Sequence, residues 1–95
     1  MYNLKREIEC GLKAKIEQLN SLREELEFFK AYELYLMMEI DVLEYKILKG
    51  DSFFTPRLLE IRKADLEKNR SDIKSQLILI EYFQSDIDLY FVLKK

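Results

Sequence analysis

Several residue types that support chemistry or cross-linking are scarce in this chain. Histidine and tryptophan are absent, and there are one cysteine (Cys10), one proline and two glycines. The lack of histidine excludes an imidazole base and imidazole metal ligands. A single cysteine excludes an internal disulfide framework, which predicts a reducing, cytoplasmic location. The scarcity of glycine and proline favours long helices.

The motifs of common catalytic and cofactor sites are missing as well. The sequence has no glycine-rich phosphate loop. Its many carboxylates alternate with lysine and arginine, as they do on a solvated helix face. We therefore expect no enzymatic activity, no cofactor, no metal site and no small-molecule substrate.

Long hydrophobic runs are missing too. Apolar segments such as 34–38 and 77–80 are far shorter than the roughly 18–20 residues that a membrane span needs. Residues 1–7 carry charge with no apolar run after them, unlike a secretory signal. These features predict a soluble protein that has no membrane partner.

What remains is dominated by apolar and charged residues at helical spacing. The chain is 48% apolar and 36% charged, and apolar residues recur every three or four positions on both sides of one break. At the break, Gly50 suits the left-handed position after a helix, and Thr55-Pro56 suits the start of the next helix. Phe54 and Leu59 are spaced as a hydrophobic staple around that start.

These signals predict an all-α fold, an antiparallel helical hairpin of two long helices that forms a single domain over residues 1–95. Helix 1 is expected at about 3–49, the turn at 50–55 and helix 2 at about 56–93. A Ser-x-x-Glu capping box that begins at Ser21 leaves open an alternative with three helices, in which helix 1 breaks near Asn20-Ser21.

One apolar stripe on each helix is predicted to form the contact between the helices. In helix 1 it consists of Leu4, Ile8, Leu12, Ile16, Leu19, Leu22, Leu26, Phe29, Tyr32, Leu36, Ile40, Leu43 and Ile47. In helix 2 it consists of Leu59, Leu66, Ile73, Leu77, Ile80, Phe83, Ile87 and Phe91.

Opposite charges are expected to meet along this antiparallel pairing, in which the numbers of neighbouring residues add to about 104. The pairing sets Glu33, Glu39, Asp41 and Glu44 beside Arg62, Lys63, Lys68, Arg70 and Lys74. It also sets Lys13 and Lys15 beside Asp86 and Asp88, and Glu7 and Glu9 beside Lys94 and Lys95. Each exposed pair contributes only about 0–1 kcal/mol, so their expected role is to define the register.

A second apolar face on each helix exceeds what one hairpin seam can cover. Its members are the predicted interface residues Leu34, Tyr35, Met38, Val42 and Tyr45, with Ala31, on helix 1, and Ile78, Tyr82, Leu89 and Leu93 on helix 2. Large exposed apolar patches usually mark interfaces. We therefore predict an antiparallel homodimer, a four-helix bundle or coiled-coil-like assembly, in which the helix 1 face of each copy meets the helix 2 face of the other.

The function predicted from these features is that of a small non-enzymatic protein–protein interaction module, an adaptor or an inhibitor or regulator. Its partners would be a second copy and a heterologous protein. One alternative is a nucleic-acid-associated regulator that uses the basic stretch from Arg57 to Lys74, and another is a purely structural coiled-coil component. A net charge of −2 and the acids interleaved in that stretch argue against nucleic acid.

Overall fold

The chain forms two long helices that pack as a hairpin, which confirms the predicted all-α helical hairpin. The structure, a computed structural model, describes residues 4–51, 53 and 55–94. Helix α1 spans Leu4–Leu48 and helix α2 spans Thr55–Lys94. Each boundary lies one residue from the position expected from the sequence.

Helix α1 is continuous through Asn20 and Ser21, so the three-helix alternative is wrong. The capping box does not end the helix there because the apolar contacts continue on both sides. Leu19 and Leu26 are both buried, and packing of an apolar face outweighs a local capping preference.

The end of α1 is a Schellman motif built on Gly50. The amide of Asp51 donates to the carbonyl of Lys46 at 3.0 Å, and the amide of Gly50 donates to the carbonyl of Ile47 at 3.0 Å. Gly50 has a φ of 99°, which confirms the left-handed position predicted for it. The predicted staple cannot be placed in the same way, because Phe54 lies outside the described residues.

The chain divides into two compact units, each of which pairs a segment of α1 with a segment of α2. The terminal unit comprises Met1–Leu26 and Ser75–Lys95, and the turn unit comprises Glu27–Lys74. In the terminal unit, Leu12, Leu19 and Ile87 form a buried cluster. Ile16, Ile80, Phe83 and Tyr90 pack against this cluster. In the turn unit, Leu36, Ile40 and Leu43 are buried.

Most of the buried and half-buried residues of each helix follow an alternating spacing of three and four, which is a heptad pattern. In α2 these positions are Leu59, Arg62, Leu66, Asn69, Ile73, Gln76, Ile80, Phe83, Ile87 and Tyr90. The half-buried residues Leu58, Asp65, Asp72, Gln84 and Asp86 lie beside them. Two residues predicted to lie in this seam are instead exposed, Leu77 at 44% and Phe91 at 51%. The seam has a period of about 3.5 residues, and this period places Gln76 and Tyr90 in it. Leu77 and Phe91 each lie one position after these residues and therefore outside the seam.

Helix α1 requires a similar correction. Tyr32 was predicted to lie in the seam but is exposed, and Glu33 takes its place as a half-buried residue. Ile8, also predicted in the seam, is 47% exposed. The remaining described members of the predicted stripe in α1 are buried or half-buried, and the side chain of Leu4 is not described.

Two buried amides connect the helices where the sequence pattern predicted apolar contacts. In the turn unit, Asn69 Nδ2 donates to the backbone carbonyl of Phe29 at 2.9 Å. In the terminal unit, Gln76 Nε2 donates to the carbonyl of Leu22 at 3.0 Å and to Glu25 Oε2 at 2.9 Å. A buried amide is favourable only when it finds its partner, so both amides restrict how one helix can slide along the other.

Four ion pairs between the helices confirm part of the predicted antiparallel charge pairing. In the turn unit, Glu33 pairs with Arg70 at 3.4 Å, Glu39 with Arg62 at 3.6 Å, and Glu44 with Lys63 at 3.7 Å. In the terminal unit, Lys15 pairs with Asp86. The residue numbers of these pairs add to between 101 and 107, close to the predicted 104. Glu7 and Glu9 were predicted to pair with Lys94 and Lys95. This pairing is not tested, because the side chains of Lys94 and Lys95 are not described.

Candidate interaction surface

The side of α1 that faces away from the seam carries a second heptad pattern of apolar residues. We call it the α1 outer stripe, and its members are Phe28, Ala31, Tyr35, Met38, Val42 and Tyr45. Each member follows a seam residue by two positions, which is about 200° around the helix. All six side chains are exposed, with Phe28 and Met38 each at 69%. The stripe lies within the turn unit.

Helix α2 carries a corresponding α2 outer stripe, made of Ser75, Ile78, Tyr82, Ser85, Leu89 and Val92. Its apolar members are more than half exposed, from Leu89 at 56% to Ile78 at 69%. Leu79, Phe91 and Leu93 are exposed beside the stripe. This stripe lies within the terminal unit.

Every residue predicted from the sequence as an interface residue is exposed in the structure. Val42 at 51% has the smallest exposed fraction and Leu93 at 82% the largest. The others are Leu34, Tyr35, Met38, Tyr45, Ile78, Tyr82 and Leu89. The structure therefore places all nine residues on accessible surface, while their role as contact residues remains a prediction.

Two apolar residues of these faces were missed by the sequence reasoning. Phe28 opens the α1 outer stripe and Val92 closes the α2 outer stripe, at 69% and 66% exposure. The signal that would have found them is the heptad step, because Phe28 precedes Ala31 by three positions and Val92 follows Leu89 by three.

Neighbouring side chains orient the aromatic rings of the α1 outer stripe. The rings of Tyr32 and Tyr35 stack with their centroids 6.1 Å apart. Lys49 Nζ lies 5.5 Å from the centre of the Tyr45 ring, a cation–π contact. Aromatic side chains have few rotatable bonds and lose little entropy on binding, so such an arrangement suits a contact surface.

A groove beside this face has a volume of about 230 Å³ and is lined by Phe28, Phe29, Tyr32, Asp65, Lys68, Asn69 and Asp72. A second groove, of about 500 Å³, lies on α2 and is lined by Glu60, Lys63, Ala64, Leu66, Glu67 and Arg70. Pockets that bind drug-sized ligands are mostly lined by apolar side chains, whereas four of the six residues of the second groove are charged. Among the described residues, no three histidine, cysteine or acidic side chains come together in a way that could hold a metal ion.

The basic stretch between Arg57 and Lys74 is partly neutralised by acids. Arg62 pairs with Glu39 and also donates to Asp65 at 3.1 Å. The hydrogen bond to Asp65 is the main cause that raises the pKa of Arg62, and burial opposes it. Three cations of the stretch, Arg62, Lys63 and Arg70, are thus ion-paired.

Comparison of the chain with protein-family models, curated proteins and solved structures gives no match. Within the part of the chain that the structure describes, neither helix contains an apolar window long enough to cross a membrane.

Proposed function

We propose that this protein is a small non-enzymatic protein–protein interaction module, an adaptor or an inhibitor or regulator in the cytoplasm. It works as a homodimeric four-helix bundle of coiled-coil type and binds through its apolar outer faces. The observation that supports this proposal is the pair of outer stripes, which repeat the spacing of the hairpin seam on the opposite side of each helix.

The energetics favour a covered state of these faces. Burial of one large apolar side chain contributes about 1.5–3 kcal/mol. An exposed ion pair of the kind seen between the helices contributes about 0–1 kcal/mol. The α1 outer stripe alone exposes five large apolar side chains, Phe28, Tyr35, Met38, Val42 and Tyr45. Their burial against another chain would thus outweigh all the surface ion pairs of the hairpin.

A second copy can cover these faces in an assembly that closes, with no unpaired binding surface at either end. In a two-fold dimer each contact occurs twice and the assembly closes. Any outer face that the dimer leaves exposed is the surface for a heterologous protein partner. A purely structural coiled-coil component would instead join head to tail into filaments or rings.

The nucleic-acid alternative has less support. Three of the cations in the basic stretch, Arg62, Lys63 and Arg70, are paired with acids of α1. Phosphate binding would have to replace these pairs, and the net charge of −2 adds no attraction.

Light scattering over a range of concentrations tests the proposal. The wild type should be a dimer, and Met38→Glu combined with Tyr82→Glu should give helical monomers, because a charge buried in an apolar contact is strongly unfavourable. Asn20→Glu is the matched control, since Asn20 is exposed on α1 outside the stripe, and it should remain dimeric. A folded wild-type monomer at high concentration would contradict the homodimer.

A second measurement addresses the alternatives. Retention of the wild type on immobilised DNA or RNA that falls steeply with salt would favour the nucleic-acid regulator. Species much larger than a dimer in the light-scattering experiment would favour the structural component. The proposed module should show neither.

A further inference from the structure

The α1 outer stripe is complementary to the same stripe of a second copy that runs in the opposite direction. From the proposed homodimer, on which this inference rests, we infer that the α1 outer stripe is the dimer seam itself. It packs antiparallel against the same stripe of a second copy, with the two-fold axis between Tyr35 and Met38.

The packing layers of this arrangement follow from the heptad spacing. An antiparallel heptad seam joins residues whose numbers have a constant sum, and here that sum is 73. It places Phe28 opposite Tyr45 of the second copy, Ala31 opposite Val42, and Tyr35 opposite Met38, each contact occurring twice. Every member of the stripe finds a stripe member opposite.

The side chains in each layer fit one another. Phe28 with Tyr45 is an aromatic pair, which gains beyond its buried area. Ala31 with Val42 puts the two smallest members together. Tyr35 with Met38 is a sulfur–aromatic contact, which is also favourable. Because large residues meet large ones and small residues meet small ones in this seam, α1 needs no rearrangement to form it.

Charge complementarity identifies the occupant as a second copy. One further layer follows beyond each end of the stripe. It pairs Glu24 of one copy with Lys49 of the other, whose residue numbers again add to 73. Both side chains are exposed. The apolar stripe is thus acidic at one end and basic at the other, and an antiparallel copy presents the opposite charge to each end.

The arrangement expected from the sequence, in which the α1 face meets the α2 face, is less complementary. Aligning the two outer stripes antiparallel puts Tyr35 opposite Ser85, and Tyr45 opposite Ser75. It leaves Lys49 opposite Ser71 and brings Asp41 beside Glu81. Aromatic rings would face serine hydroxyls and two acids would meet, so the charge and volume matches of the self-paired stripe are lost.

Cysteine cross-linking distinguishes the two arrangements. In a Cys10→Ser background, Ala31→Cys with Val42→Cys should give a disulfide-linked dimer under mild oxidation. Each single variant is a matched control. In the proposed register, position 31 is eleven residues, or about 16 Å, out of line with position 31 of the other copy, beyond the roughly 7 Å that a disulfide can bridge. Ala31→Cys with Leu89→Cys tests the other arrangement and should stay unlinked.

The outcomes separate this inference from the proposed function. Three results would overturn the self-paired stripe and leave the homodimer standing. They are a disulfide between positions 31 and 89, a disulfide-linked dimer of either single variant, and a non-covalent dimer in which positions 31 and 42 do not link. A wild-type chain that is monomeric in light scattering would overturn both.

Charge reversal gives an independent readout. Lys49→Glu should raise the dissociation constant of the dimer about tenfold, because two exposed pairs become repulsive. Adding Glu24→Lys should restore it. Glu24 and Lys49 are 25 residues apart in a chain that is helical from Leu4 to Leu48. They therefore cannot pair within one chain, and rescue requires contact between copies. Equal dissociation constants for the wild type and Lys49→Glu, or no rescue by the second change, would overturn the register.

Discussion

Truncation of Leu36 tests the hairpin seam most directly. Leu36 is 0% exposed and sits between the buried residues Ile40 and Leu43 on one side and the half-buried Phe29 on the other. Leu36→Ala removes the equivalent of about three methylene groups at about 0.8 kcal/mol each. A cavity term adds to this loss, moderated because a seam close to solvent can partly collapse. We expect a loss of about 2.5–4 kcal/mol in the free energy of unfolding.

Urea unfolding followed by circular dichroism measures this loss. The matched control is Leu34→Ala, the same change two positions away, where the side chain is 63% exposed. At a concentration low enough to dissociate a dimer, Leu34→Ala should cost less than about 1 kcal/mol, because little of that side chain leaves water in the hairpin. Equal losses for the two variants would show that Leu36 is not held in the seam.

Three further predictions concern the turn, a seam amide and an ion pair. Gly50→Val should lower the free energy of unfolding by about 1–3 kcal/mol in urea unfolding, because φ is +99° and, among the described residues other than its chain neighbours, no atom lies within 4 Å of the added Cβ, so the expected cost is backbone strain. Asn69→Leu removes the hydrogen bond to Phe29 and should leave stability unchanged or higher, with more than one oligomeric species in light scattering, since a seam amide specifies register. The hydrogen bond to Asp86 raises the pKa of Lys15 above its ordinary 10.5. The stabilisation from this pair is therefore present below pH 10.5 and is lost as the pH rises through the folded-state pKa, so the melting temperature should fall more steeply there for wild type than for Lys15→Met.

The hairpin could be predicted from the sequence because its signals are local and mutually consistent. Gly50 and Thr55-Pro56 mark the only strong break, and apolar residues at helical spacing flank it on both sides. The antiparallel charge pairing was also readable, since a short turn fixes which residues face each other. Lys15 with Asp86 and Arg70 with Glu33 confirm it.

The exact seam of α2 was harder to predict, because apolar identity alone was used to trace it. Leu77 and Phe91 continue the apolar series at steps of four, yet both are exposed. The seam instead uses Gln76, whose amide reaches the carbonyl of Leu22 and the carboxylate of Glu25. A polar side chain becomes a seam residue only when its hydrogen-bond partners are in reach, and no residue pattern within one helix shows those partners.

The amino-acid sequence by itself determined the two helices, the turn at Gly50, the antiparallel register and the presence of a second apolar face on each helix. These follow from spacing, glycine stereochemistry and charge order, which are properties of neighbouring residues. Only the tertiary structure decided that the seam keeps a strict heptad with Asn69 and Gln76 inside it and Leu77 outside. That choice depends on which backbone carbonyls and carboxylates the opposite helix presents, and hence on how the two helices are rotated against each other.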